Sequence, residues 1–166
     1  MTRPAIARRI GGIVLAAALT VGAVPAARAD LMQIFSQAGQ FNDWLAISKR
    51  AGFQSAMTGT APHTVFAAVD TAFASGKAKA LLTSNDVPLL RKAILLQVVD
   101  GIHTVSDFMG KNTTLTTVGG SKIKIEDTGS SLQIVSDGPD GHVVATVVMQ
   151  PIPTTNGIIY PVDKFF

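Results

Sequence analysis

The chain has no cysteine in its 166 residues, so neither a disulfide framework nor a lipid-modified cysteine can brace or tether it. An apolar core must carry its stability. After Val24 no apolar stretch approaches the ~20 residues needed to span a hydrocarbon core. No run of Lys and Arg marks a nucleic-acid footprint. Catalytic signatures are missing too: there is no Gly-x-Ser-x-Gly elbow, no phosphate-cradling glycine loop and no pair of carboxylates at a recognisable spacing. His63, His103 and His142 are too widely separated for a helical metal site. These absences argue against an enzyme, a nucleic-acid binder and a membrane-spanning protein, and no cofactor is expected.

What is present begins with an export leader. Arg3, Arg8 and Arg9 form a positive start, Ile10 to Val24 an apolar stretch, and Ala27-Arg28-Ala29 a small-x-small cleavage site. Cleavage before Asp30 is expected, which divides the chain into a leader, 1–29, and one domain, 30–166. The general secretory route fits better than a twin-arginine route, because the surroundings of Arg8-Arg9 match the latter poorly. Losing Arg3, Arg8, Arg9 and Arg28 leaves ten Lys and Arg against eleven Asp and Glu, a net charge of −1. The basic balance of the whole chain thus belongs to the leader, and the compact Ala-rich leader points to a bacterial periplasm or the extracellular medium.

Periodicity separates two halves. Leu31, Ile34, Phe35 and Ala38, then Phe41, Trp44 and Leu45, recur at helical steps, with Gly39 expected to split the run and Gly52 to end it. Trp44 falls on the inward stripe and reads as core. Thr64 to Ala68 is a short buried strand, after which Asp70 is placed to cap a helix containing Phe73. Asp86 opens another helix with Val87, Leu90, Ile94 and Leu95 inward, and Val98-Val99 form a strand. From Ser121 the period changes to two, through Ile123, Ile125, Leu132 and Ile134. Asp137 to Gly141 is a turn, and Val143 to Val148, apolar on both faces, is expected inside the sheet assembly. The Asn156-Gly157 pair suits a tight turn with positive φ that starts a last strand. Helices first and strands later make the fold class α+β.

Three segments carry a family resemblance. Thr64-Val65-Phe66-Ala67-Ala68-Val69-Asp70-Thr71-Ala72-Phe73 and Asn156-Gly157-Ile158-Ile159-Tyr160-Pro161-Val162-Asp163-Lys164-Phe165-Phe166 resemble the paired signature segments of fasciclin (FAS1) domains, in order and separation. Gly101-Ile102-His103-Thr104-Val105-Ser106-Asp107-Phe108 is similar to the stretch after that family's central helix. The resemblance implies a wedge-shaped antiparallel β-sandwich with several helices packed along one side. It also implies a secreted, non-catalytic module for adhesion or interaction with an envelope, matrix or surface protein or polysaccharide. Because some proteins of this fold hold carotenoids, carriage of a small apolar ligand is the alternative, with Phe108, Met109 and Met149 as its expected neighbourhood.

Within the resembling segments His103, Asp107, Asn156 and Tyr160 are the candidate interaction positions, and Thr64, Phe66, Asp70, Phe73, Gly101, Gly157 and Asp163 the structural ones. Departures narrow what carries over. Leu96-Gln97 stand where many relatives have the Tyr-His pair tied to receptor binding in animal members, so that recognition is not expected here. Ala68 replaces a proline, and Pro161 in the last segment suggests that the final strand lies at a sheet edge, open to a partner. Asp137 and Asp140 could approach a cation, but their loop matches no known calcium-binding spacing and reads as a turn.

Overall fold

A computed structural model describes residues 29–138 and 141–166. The expected leader through Arg28, together with Pro139 and Asp140 of the expected turn, lies outside them. Helix α1 (Leu31–Gln37) opens at Asp30, whose carboxylate accepts the Gln33 N–H while the Gln33 side chain accepts the Asp30 N–H. This reciprocal box satisfies two backbone donors that a helix start otherwise leaves open. Gly39, at φ +68°, breaks the chain before α2 (Asn42–Arg50), and Gly52, at φ +70°, follows the end of α2. Short α3 (Gln54–Thr58) completes the first helical group. Phe35 stacks on Trp44 at 4.4 Å between ring centres, and Trp44 is buried as its place on the apolar stripe requires.

Two four-stranded sheets follow. One contains β1 (His63–Ala68), β2 (Val98–Asp100), β7 (Ile152–Pro153) and β8 (Gly157–Val162) in the order β2-β1-β8-β7. The other runs β3 (Asn112–Thr116), β4 (Lys122–Asp127), β5 (Leu132–Gly138), β6 (Gly141–Thr146) in sequence order. Helices α4 (Gly76–Thr83), α5 (Val87–Leu95) and α6 (Val105–Phe108) fill the connections. Asp86 caps α5 by accepting the Leu89 N–H at 3.0 Å. A single apolar cluster takes Leu31, Trp44 and Ile94 from helices, Phe66 and Ile159 from one sheet, and Ile123, Ile134 and Ala145 from the other. The α+β class holds, with sheets that are mainly antiparallel.

The exception is the pair that joins the chain's distant segments. β1 and β8 are parallel through six register pairs, from His63↔Gly157 to Ala68↔Val162. Every residue of both strands is buried, the usual condition of parallel strands. This corrects the expected edge position of β8, which lies between β1 and β7. Pro161 is tolerated there because its carbonyl points away from β1, accepting the Val148 N–H at 2.9 Å, so the absent N–H removes no bond to β1. The expected interior strand is corrected as well: β6 is an edge, where Val143 and Val144 are half-buried and only Ala145 is fully covered. In α5, Leu90 and Ile94 are buried as expected, whereas Val87 in the first turn is exposed.

Candidate functional site

Signature residues converge at two corners of the β1–β8 pair. At the first, Gly101 takes φ +87° and donates its N–H to the Pro62 carbonyl at 2.9 Å. The Thr64 hydroxyl donates to the Gly101 carbonyl at 2.8 Å and accepts the His103 N–H at 2.9 Å, locking the loop onto β1. Tyr160 is fully buried between Phe66 and Phe108, and its hydroxyl donates to the His103 carbonyl at 2.8 Å. Burial, reinforced by the Asp107 charge, pushes the phenol above its ordinary range, so it stays a neutral donor. Asp107 is exposed and caps α6, accepting the Thr104 N–H at 2.7 Å and its hydroxyl at 2.9 Å. Those bonds, the backbone one first, hold its carboxyl below the usual range.

Two of the three histidines meet here at Asp100. The half-buried His103 ring puts Nε2 3.2 Å from the Asp100 carbonyl. His63 Nδ1 lies 3.3 Å from the Asp100 carboxylate without hydrogen-bond alignment. His142 is remote, on the exposed β5–β6 hairpin, where its Nδ1 meets Asp137 at 2.6 Å. Among the described residues, no three His, Asp or Glu side chains gather as a metal site would need.

The second corner is built by Asn156. Its Oδ1 accepts the Leu31 N–H at 2.9 Å, while Nδ2 donates to the carbonyls of Met57 at 2.7 Å and Gly59 at 2.9 Å. One amide thereby ties α1, α3 and β8 together. Gly157 corrects the expected positive φ, since it is absent from the glycines in that region. Its smallness is needed for another reason: a Cβ would overlap the His63 carbonyl oxygen and come within 3.0 Å of Leu31 Cδ1. The turn does form, closed by Thr154 N–H donating to the Gly157 carbonyl at 2.9 Å.

Asp70 also acts at a distance. It sits in a 3-10 turn, Asp70–Phe73, but makes no cap there. Its carboxylate instead accepts the Asp43 N–H and the Asn42 side-chain amide, both at 2.9 Å, capping α2 from another part of the chain. Burial, and then the Asp70 charge, lift the Asp43 carboxyl above its usual range. Phe73 is buried beside Phe165. Asp163 accepts the Thr146 N–H at 2.6 Å and joins the end of β8 to the end of β6.

Of the four expected interaction positions, Asp107 and His103 therefore lie at the surface or partly so. Asn156 and Tyr160 do not: both are buried, with their polar atoms bound to backbone. The Leu96-Gln97 pair also turns inward, with Gln97 accepting the Trp44 indole N–H at 2.7 Å.

Among the described residues, open concave surface lies elsewhere, and two grooves stand out. One, of about 350 Å³, runs past Val105, Met109, Asp127, Ser131, Val148 and Met149. Met109 is 62% exposed and Val148 47%. Asp127 organises this rim by accepting the N–H groups of Gly110 at 2.7 Å and Gly129 at 2.8 Å, which hold its carboxyl low. Met109 and Met149 of the neighbourhood expected for a small apolar ligand line this groove, whereas Phe108 is buried and is not among its lining residues. The second groove, about 520 Å³, lies between α4 and α5 against Val143, Phe165 and Phe166, with Leu96 in its wall. No spacing in the sequence announces it, because four separate segments build it.

A polar signature spent on holding backbone, with concave surface left elsewhere, defines a scaffold that presents surfaces. The sequence pattern of the Fasciclin domain family matches residues 39–166. The chain belongs to the fasciclin domain family. An uncharacterized protein, sll1735, of Synechocystis sp. is 28% identical over 138 residues, spanning 81% of this chain and 95% of its own length. Among solved structures, a FAS1 domain pair from the insect cell adhesion molecule fasciclin I superposes with a TM-score of 0.70 at 16% identity. That match covers 83% of this chain and 50% of the solved chain, so the protein spans half the length of the insect pair and shares its fold. Fasciclin domains are generally binding or adhesion modules and are commonly extracellular or secreted. No helix among the described residues is long and apolar enough to cross a membrane.

Proposed function

We propose that this protein is an exported binding module that engages an envelope, matrix or surface protein or polysaccharide and leaves it chemically unchanged. Family membership carries the reading. Its support within the chain is the division of labour between residues: the signature side chains are committed to backbone, while exposed Met109 and Val148, with the serines around Asp127, offer a mixed apolar and polar face. Such faces suit partner recognition, in which apolar anchors contribute affinity and polar neighbours fix orientation. Immobilised protein should bind an envelope or polysaccharide fraction saturably, with competition by soluble protein. Met109→Asp should weaken that binding without altering the melting temperature. Absence of saturable binding to every fraction would overturn the proposal.

A second reading, carriage of a small apolar molecule, is favoured by the larger groove. Its volume of about 520 Å³ falls in the range of small-molecule sites, and its lining is mostly Leu, Ala, Val and Phe. Native mass spectrometry and an absorbance spectrum on protein purified from its own host test it: added mass or a visible band supports carriage, and bare colourless protein opposes it.

A further inference from the structure

The α4–α5 groove has a second property besides its apolar floor. Leu81, Leu89, Leu96, Val143, Phe165 and Phe166 form its walls, yet Lys92 also lines it. The two helices carry Lys77, Lys79, Arg91 and Lys92 and no acidic residue. The one carboxylate between them, Asp86, is engaged as the cap of α5. With Lys77 already engaged in an interaction of its own, Lys79, Arg91 and Lys92 still place three of the ten remaining cations of a chain expected to be net −1 after export on the helix pair that flanks the larger groove. A neutral apolar ligand would make no use of this charge, whereas an anionic end would be attracted to it, weakly at long range and strongly on direct contact.

We propose that this groove binds a single-chain anionic amphiphile, a fatty carboxylate, with its hydrocarbon chain against Leu81, Leu96 and Phe166 and its carboxylate at the Lys92 ammonium. The inference rests on the carrier reading and adds the charge of the ligand to it. A monomeric ligand fits better than a bilayer surface because the apolar residues line a concavity, whereas surface-lying helices present a convex apolar face to lipid.

The test uses the exported protein with a fluorescent polyene fatty acid and its methyl ester as probes, and vesicles of anionic and of zwitterionic phospholipid as a separate arm. The free acid should bind about tenfold more tightly than the ester, the ratio that one charge-assisted hydrogen bond supplies. Lys92→Gln should reduce that preference to about twofold or less, with ester affinity kept. Leu89→Asp, at a position 46% exposed and therefore tolerant of substitution, should weaken the acid more than the ester. Equal binding of acid and ester, or a preference that survives in Lys92→Gln, would overturn this inference while leaving apolar carriage standing. Binding of neither probe would overturn both. Binding to anionic vesicles without binding of the monomeric acid would overturn the inference in favour of a lipid surface.

Discussion

Removing the Asn156 side chain should cost more stability than any other single polar truncation in the signature segments. Asn156→Ala orphans three backbone groups at once: the Leu31 N–H and the carbonyls of Met57 and Gly59, all now within 2.7 to 2.9 Å of the amide. A buried polar group left without a partner costs roughly 1–3 kcal/mol. Gly59 is half-buried and can recover water, so the sum comes to about 3–5 kcal/mol, in the range reserved for broken buried networks. For a domain of this size that corresponds to a fall in melting temperature of roughly 10–15 °C. Asn156→Asp separates bonding from packing, since it keeps the shape but points acceptors at two carbonyls. Burial and those carbonyls raise the new carboxyl's pKa in the folded state. Protonation therefore favours folding, and the variant's deficit against wild type should be smaller at pH 4 than at pH 7. Thermal melts by circular dichroism at both pH values provide the assay. A melting temperature within 2–3 °C of wild type for Asn156→Ala would refute the clamp, and a pH-independent deficit for Asn156→Asp would refute its hydrogen-bonding basis.

Three further outcomes test the same geometry. Asp70→Ala should lose about 1–2 kcal/mol by uncapping α2, whereas Asp70→Asn, which keeps an acceptor, should lose less; equal losses in denaturant melts would contradict a distant cap. Gly157→Ala should destabilise by about 1–3 kcal/mol through overlap with the His63 backbone, although alanine suits its φ, and a neutral or stabilising effect would show that the strands part easily. Asp127, with its carboxyl held low by the Gly110 and Gly129 amides, contributes stability that is present above the ordinary aspartate value of about 3.9 and lost as pH falls through its depressed folded value. Asp127→Asn should therefore melt below wild type at pH 6, with the gap closing in strong acid; a gap that persists there would refute the assignment.

Local order was legible in the sequence wherever one side chain reports its own surroundings. The stripe of Phe41, Trp44 and Leu45 marked α2, the alternation of Ile123 and Ile125 marked β4, and Asp86 marked the start of α5, because each pattern reflects burial or capping within a few residues. Long-range pairing was not legible. Asp70 looks like the cap of the turn it begins, but its partner is 27 residues upstream at Asp43, a choice made by tertiary packing. Pro161 suggests an edge, yet one missing N–H is harmless in an interior strand when it faces a side that needs no donor there. Gly157 follows Asn156 as hairpin glycines do, but here the glycine is required by the closeness of β1. The larger groove was hidden for the same reason: α4, α5, β6 and the last two phenylalanines each look ordinary alone, and only their juxtaposition encloses a cavity.

The central claim is that the signature polar residues hold the fold while a different face meets the partner. It is tested most directly by measuring saturable partner binding and melting temperature together on Asn156→Ala and Met109→Asp, at a temperature where both remain folded. The account predicts a reciprocal pattern: Asn156→Ala melts earlier but binds with wild-type half-saturation, and Met109→Asp melts as wild type but binds weakly. Lost binding in folded Asn156→Ala, with unchanged binding in Met109→Asp, would contradict it.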